Sequence, residues 1–318
     1  MRGYFSEGRR WLEHAQQAGD TAATSDHADA LYWQAFLAWM QADYGVARAL
    51  FEQSQNISAA LDDVKGIARA LQNEGLVLAR QGDYATARAL LGQSLGLQRH
   101  IGDQPGSLVS LFAAGRVAWF QGDLASAHAL LDRGLAIAES IGNSFLRSLA
   151  LSSLGDVAWS EGNYPLAAAL LGECLATFRS LGNQQNTATA LLSLGYVLLA
   201  QGHWPMAQSH STESLAVYAQ LGDKWGIANA LQGLGCLAAA EGAHERAARL
   251  LGAAEHLRLA LGAPLPIFQS AYHHYLTVAQ SALGPTAFAA EQAAGARMSL
   301  ENAVDFALIG APPTPARL

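Results

Sequence analysis

Residues 78–91 read LARQGDYATARALL, and forty positions later residues 118–131 read AWFQGDLASAHALL. Set out in rows of forty, Gly82, Gly122, Gly162, Gly202 and Gly242 fall in one column, with Asp43, Asp83, Asp123 and Asn163 in the next. Further columns hold Gly75, Gly115, Gly155, Gly195 and Gly235, then Gly102, Gly142, Gly182, Gly222 and Gly262, then Ala47, Ala87, Ala127, Ala167, Ala207 and Ala247. A fixed period of this length means an array of stacked units, none of which covers its own apolar face alone.

Each unit reads as two helices. Apolar or small residues recur at helical spacing, at Leu71, Gly75 and Leu78 and again at Ala87, Leu91 and Ser94, and no alternating β-branched pattern competes. The Gly82 column ends the first helix, where a left-handed C-terminal cap favours glycine. The Asp or Asn after it accepts the unpaired amides at the start of the second helix. Pro165 and Pro205 fall in the first turn of that helix, where a missing amide hydrogen does little harm. The Gly75 column lies inside a helix, where glycine costs about 1 kcal/mol relative to alanine. Its recurrence therefore predicts close approach between the paired helices. The spacing predicts a first helix over 67–81 and a second over 84–101, the latter roughly 27 Å long.

Leu71, Gly75, Leu78, Ala87 and Leu91 match the pattern of the tetratricopeptide repeat, and the resemblance covers residues 27–262 as six units. It implies an all-α fold, a right-handed α-α superhelix whose first helices line the concave face. The period departs from the usual ~34 residues, and the proline that commonly closes each unit is absent. The extra length is expected mostly in a longer second helix and the loop after it.

Residues 1–20 align as the second helix of an incomplete first repeat, with Gly3 on Gly82, Gly8 on Ala87 and Leu12 on Leu91. Trp11 and Leu12 are then expected to lie partly uncovered, in a chain cut from a longer protein or carrying a degraded first unit. Residues 21–262 hold the six hairpins. Residues 263–310 are expected to form a cap of three helices, the second opened by Gly284-Pro285 and the third by Ser299. APPTPARL at 311–318 reads as a Pro-rich extended linker.

The stretch RAARLLGAAEHLRLALGAPLP at 246–266, with MSLENAVDFAL at 298–308 and RGYFSEGRRWLEHA at 2–15, resembles the repeat region of large bacterial ATP-dependent transcriptional regulators of the LuxR type. The resemblance implies the sensor or interaction region of a signalling or transcriptional regulator, with an ATPase module upstream and commonly a helix-turn-helix module downstream. Neither module lies in these residues. The lysines are Lys65 and Lys224, and neither stands in a GxxxxGK[ST] phosphate loop.

Of 318 residues 51% are hydrophobic and 14% charged, with a formal net charge of -7, so a core is well supplied and direct nucleic-acid binding lacks its basic field. Every apolar run is broken well before the length of a membrane span. Cys174 and Cys236 form no CxxC and fit a reducing compartment, so the chain reads as cytoplasmic. Cys174 shares a column with Ser94, Gly134 and Ser214, a slot that wants a small residue, and neither cysteine has an evident activating base. His203, His210, His244, His256 and the His273-His274 pair follow no metal-ligand spacing, and no cofactor is expected. Glu13, Asp62, Asp63, Glu74 and Glu139 are scattered and supply no acid and base pair, so the chain does not read as an enzyme.

Binding candidates follow from the concave face that the resemblance gives to the first helices. Tyr32, Phe36, Trp39 and Met40 lie at i, i+4, i+7 and i+8, and Phe112, Arg116, Trp119 and Phe120 repeat that spacing two units on. Arg69, Gln72, Leu76 and Arg80 stand between them, and Ser152, Asp156, Trp159, Leu192 and Tyr196 continue the strip. Rings provide area at low entropy cost and arginine pairs bidentately with carboxylates, so the strip suits a peptide, a protein segment or a small-molecule effector. Two alternatives stand beside it. The rings could pack between first helices and meet no ligand, or the chain could form a homo-oligomer through its convex face or its N-terminal half-repeat.

Overall fold

A computed structural model describes Trp11, residues 23–263 and residues 268–309. Among the described residues there are fifteen helices and no strand, the all-α class that the periodicity predicts. The half-repeat expected over 1–20 lies outside the described residues except for Trp11, which is exposed, and the tail expected over 311–318 lies wholly outside them. The chain divides into two compact units, Met1–Val157 and Ala158–Leu318.

Unit 1 holds three hairpins: α1 (Ser25–Met40) with α2 (Tyr44–Ala60), α3 (Val64–Arg80) with α4 (Tyr84–His100), and α5 (Gln104–Phe120) with α6 (Leu124–Ser140). Helix α7 (Ser144–Ser160) follows, its last turn belonging to unit 2. Unit 2 continues with α8 (Tyr164–Ser180), the hairpin of α9 (Gln184–Ala200) and α10 (Trp204–Leu221), and the hairpin of α11 (Lys224–Ala240) and α12 (His244–Ala260). After these come α13 (Gln269–Leu283), α14 (Pro285–Ala296) and α15 (Leu300–Leu308).

The turns explain where each helix stops. Gly82 takes φ 85°, its amide donates to Ala79 O at 3.2 Å, and the Asp83 amide donates to Leu78 O at 3.0 Å, which together satisfy the last carbonyls of α3. The Asp83 carboxylate then accepts from the Thr86 amide at 3.1 Å and opens α4. Twenty residues on the device repeats: Gly102 takes φ 70° and Asp103 accepts from the Gly106 amide at 3.0 Å. Both turns being capped alike, α3 and α4 each have 17 residues. This corrects the longer second helix expected from the sequence. The first helix is the one that gains, beginning at Val64 because Asp63 accepts from the Gly66 amide at 3.0 Å.

Packing follows from the same columns. The second helix α4 buries one stripe, Ala87, Leu91, Ser94 and Gln98, and turns its other faces to water. A Cβ on Gly75 would meet Leu91 Cγ at 3.0 Å and one on Gly115 would meet Leu131 Cγ at 2.7 Å, so the mid-helix glycines do allow the paired helices to close up. The Ser94 column is a hydrogen-bonding slot. Ser54 and Ser94 donate to the Ala28 and Ala68 carbonyls at 2.8 and 2.7 Å in unit 1, and Ser214 to the Ala188 carbonyl at 2.8 Å in unit 2. Cys174 bonds instead to the Leu171 carbonyl on its own helix, and Gly134 leaves its slot to the Phe112 ring.

In unit 2 every residue of α11 from Gly226 to Ala239 is buried, because α13 packs on both α11 and α12. Helix α14 packs on α12, where Gly252 and Gly295 bring the two backbones together. Arg249 pairs with Glu291, and Arg246 donates to the Ala307 carbonyl at 2.9 Å, tying α12 to α14 and α15. Among the described residues no helix is long and apolar enough to cross a membrane.

Candidate binding faces

The residues picked out from the sequence separate into those that pack and those that remain accessible. In unit 1, Tyr32 is buried: the Arg69 guanidinium stands 3.9 Å from its ring centre, and its hydroxyl accepts from Asn73 Nδ2 at 3.0 Å. Burial raises the Tyr32 phenol pKa, and the Arg69 charge works against that rise. Arg69 also pairs with Asp29. Gln72 is buried, its Oε1 accepting from Gln98 Nε2 and from Ser110 Oγ, each at 3.0 Å. Phe112 is buried against Gly134. Tyr32 and Gln72 thus hold neighbouring hairpins together, and Phe112 holds the two helices of its own hairpin.

Phe36, Trp39, Arg69, Arg80, Arg116 and Trp119 are half-buried. Trp33, Phe36 and Trp39 form an edge-to-face run with ring centres 5.8 and 5.5 Å apart. Arg80 from the next first helix lies 5.5 Å from the Trp39 ring centre. Trp119 leans on Phe120 at 4.9 Å, and Phe120 stacks on Tyr84 at 5.9 Å. Helix α1 touches α3 and α3 touches α5, so these side chains, apart from Tyr84 on α4, belong to adjoining first helices. Sequence reasoning missed Trp33, which is 50% exposed, because Asn73 and Ala113 stand in its column and hide it from a search for repeated rings. Asp156, on α7, is half-buried.

Trp159 and Tyr196 behave differently. Both are buried in unit 2, where Trp159 Nε1 donates to the Tyr196 carbonyl at 3.3 Å and Gln232 Nε2 donates to the Tyr196 hydroxyl at 2.8 Å. Burial holds the Tyr196 phenol well above its ordinary range. The Phe268 ring lies 4.7 Å from Trp159 and 4.2 Å from Tyr196, centre to centre. Phe268 is buried and takes a left-handed φ of 47°. This part of the strip is thus covered by a ring from the chain itself, one that follows the last repeat and stands in no column.

Beside these rings opens a cavity of about 500 Å³, walled by the ends of α7 and α9, by Tyr164 and by one face of α13. For reactive chemistry the groups are poorly placed. Burial pushes the Cys236 thiol up to about 12, which keeps it protonated at neutral pH, and Cys174 is buried as well. Among the described residues no group of three His, Cys, Asp or Glu side chains could hold a metal ion.

A family model described as tetratricopeptide repeat matches residues 26–100, 66–140 and 146–220. Among solved structures, a Rap protein complexed with competence and sporulation factor aligns over 83% of this chain and 76% of its own, at 14% identity and a TM-score of 0.59. The Rap conjugation gene regulator of the plasmid pLS20, in complex with the Phr* peptide, aligns over 80% of this chain and 73% of its own, at 14% identity and a TM-score of 0.59. BtubC from P. vanneervenii aligns over 69% and 92%, at 18% identity and a TM-score of 0.52. At such identities the likeness is one of fold, and that fold is the α-α solenoid read from the sequence. No curated protein matches the chain.

Proposed function

Because this chain belongs to the tetratricopeptide repeat family, we propose that it is a non-catalytic binding scaffold that holds an extended peptide or protein segment against the first helices of unit 1. The observation that carries this is the half-buried run of Phe36, Trp39, Arg80, Arg116 and Trp119 on adjoining first helices. Rings locked edge to face present area with few rotamers left to freeze, and guanidinium groups beside them offer forked donors to carboxylates. Two proteins of the same fold lend support, since their structures are of complexes with competence and sporulation factor and with the Phr* peptide.

The test uses a fluorescent peptide selected from a random library on the immobilised chain. Trp39→Ala and Trp119→Ala should each raise its Kd about tenfold or more, the loss of a central aromatic anchor. Unchanged affinity in both variants, with far-UV circular dichroism unaltered, removes this face from consideration.

The resemblance at 246–266 and 298–308 further supports a place for the chain as the cytoplasmic sensor region of a LuxR-type ATP-dependent regulator. Its coding frame would then continue upstream into a GxxxxGK[ST] phosphate loop, and a frame without one would exclude that context. A second reading, self-association, is favoured by Leu166, Trp204 and Met206, which lie 40–52% exposed at the starts of α8 and α10. Sedimentation velocity showing a monomer at all concentrations would exclude it.

A further inference from the structure

Trp159 and Tyr196 in unit 2 form a corner for a flat ring. Their planes stand 74° apart with centres at 6.3 Å, and Phe268 fills the angle between them, at 75° to Trp159 and tilted only 32° over Tyr196. Edge-to-face and offset near-parallel contacts are the arrangements that ring quadrupoles favour, and an aliphatic side chain offers neither. The two walls do not depend on Phe268 for their position. Trp159 Nε1 donates to the Tyr196 carbonyl, and Gln232 Nε2 donates to the Tyr196 hydroxyl. Both rings also line the cavity of about 500 Å³, which opens beside the corner.

The occupant of the corner is held against opposing terms. Phe268 takes φ 47° and ψ 51°, the left-handed region, where a Cβ crowds the following carbonyl. Ala42 and Asp62, the other described non-glycine residues with positive φ, stand at helix ends where later hairpins carry glycine, whereas Phe268 stands at a helix start. As the N-cap of α13 it gives no side-chain hydrogen bond to the first turn. Ser299 shows the contrast before α15, accepting from the Asn302 amide at 3.2 Å. Strain and an uncapped start both weaken this arrangement, and the packing of the ring in its corner offsets them. A ring supplied from outside makes the same packing without either.

We propose that the corner between Trp159 and Tyr196 is a binding site for an aromatic side chain of a partner polypeptide, a site that the chain's own Phe268 fills until the partner's ring displaces it. The ring in place defines the ligand chemistry, a phenyl or phenol group. Because hydrogen bonds already fix both walls, the corner keeps its shape when one ring replaces another. The cavity that shares these walls gives the incoming segment its approach. That the ring arrives on a polypeptide rests on the peptide-binding reading of unit 1, but the preference of the corner for a ring does not.

The experiment puts para-fluorophenylalanine in place of Phe268 in the full chain and follows its fluorine NMR signal. Over the Tyr196 ring the fluorine is shifted by the ring current, and once displaced it should move to the position of a solvated phenyl group. N-acetyl-phenylalanine amide should move the signal saturably. N-acetyl-cyclohexylalanine amide, similar in bulk but without a π face, should need about fivefold more for the same shift. Phe268→Ala removes the competitor, so by calorimetry it should bind the phenylalanine probe about tenfold more tightly than the unaltered chain, as when the open corner is about a tenth of the population. An emptied apolar cavity also admits small aromatic molecules, so displacement in the labelled chain decides, and it does so even if Phe268→Ala fails to fold. The label reports on this corner alone, which separates the outcome from that of the selected peptide on unit 1. A signal that stays in place at saturating probe, no saturable shift, equal displacement by the two probes, or equal affinity of the phenylalanine probe for Phe268→Ala and the unaltered chain overturns the proposal.

Discussion

Gly134 is the position where hairpin packing makes its most local demand. It occupies on α6 the slot that Ser54 and Ser94 fill on α2 and α4, and an added Cβ would meet Phe112 Cδ1 at 2.8 Å. Phe112 is 5% exposed, so its ring has no open side to move into. Two terms oppose each other when Gly134 becomes alanine. Helix propensity gains about 1 kcal/mol, while one methyl too many in a packed core costs about 1–3 kcal/mol. With backbone and ring both held, Gly134→Ala should lose about 1 kcal/mol net. Phe112→Leu removes the colliding edge at a cost of about 1 kcal/mol. In that background Gly134→Ala should instead gain about 1 kcal/mol, a reversal of sign and a coupling of about 2 kcal/mol. Urea unfolding followed by far-UV circular dichroism reads all four proteins, with the denaturant slope required to stay constant. Stabilisation by Gly134→Ala in the wild-type chain, or simple additivity of the two changes, would refute the steric reasoning.

Other outcomes follow from the caps. Ala42 and Asp62 stand at φ 60° and 56° in slots that hold glycine in the later hairpins, so Ala42→Gly should raise stability by about 1 kcal/mol in thermal unfolding, and a fall would contradict the left-handed cap. The Asp83 carboxyl is held below its usual pKa, first by the Thr86 backbone amide and then by the Thr86 side chain. Its folded pKa being depressed, the stability it contributes is complete above the unfolded value of about 3.9 and is lost as pH falls through the folded one. Asn caps equally well, as Asn163 does on α8 with the Leu166 amide at 3.3 Å. Asp83→Asn should therefore leave stability at pH 7 nearly unchanged and make the acid-side decline shallower, and a decline of unaltered steepness would contradict that role for the carboxylate.

The hairpin order was legible because its signals are local: a Gly-Asx pair fixes a turn and the next helix start within five residues, as Gly82 and Asp83 do. Helix length was less so. The period alone assigns no turn to the Gly102 column, whereas Asp103 after it caps α5 as firmly as Asp83 caps α4. Spacing located the first-helix face but not its depth. Tyr32 and Phe36 are one turn apart, yet the first is buried under Arg69 and the second remains partly accessible, because depth is set by how closely neighbouring helices approach. The covering of Trp159 and Tyr196 by Phe268 depends on a segment distant in sequence and outside the period, so no column announces it.

The measurement that bears most directly on the binding role is hydrogen exchange of the chain with and without a saturating library-selected peptide. Slower exchange should appear in α1, α3 and α5, strongest in their last two turns around Phe36, Trp39, Arg80, Arg116 and Trp119. Slowing confined to α2, α4 and α6, with those first helices unaffected, would contradict the account.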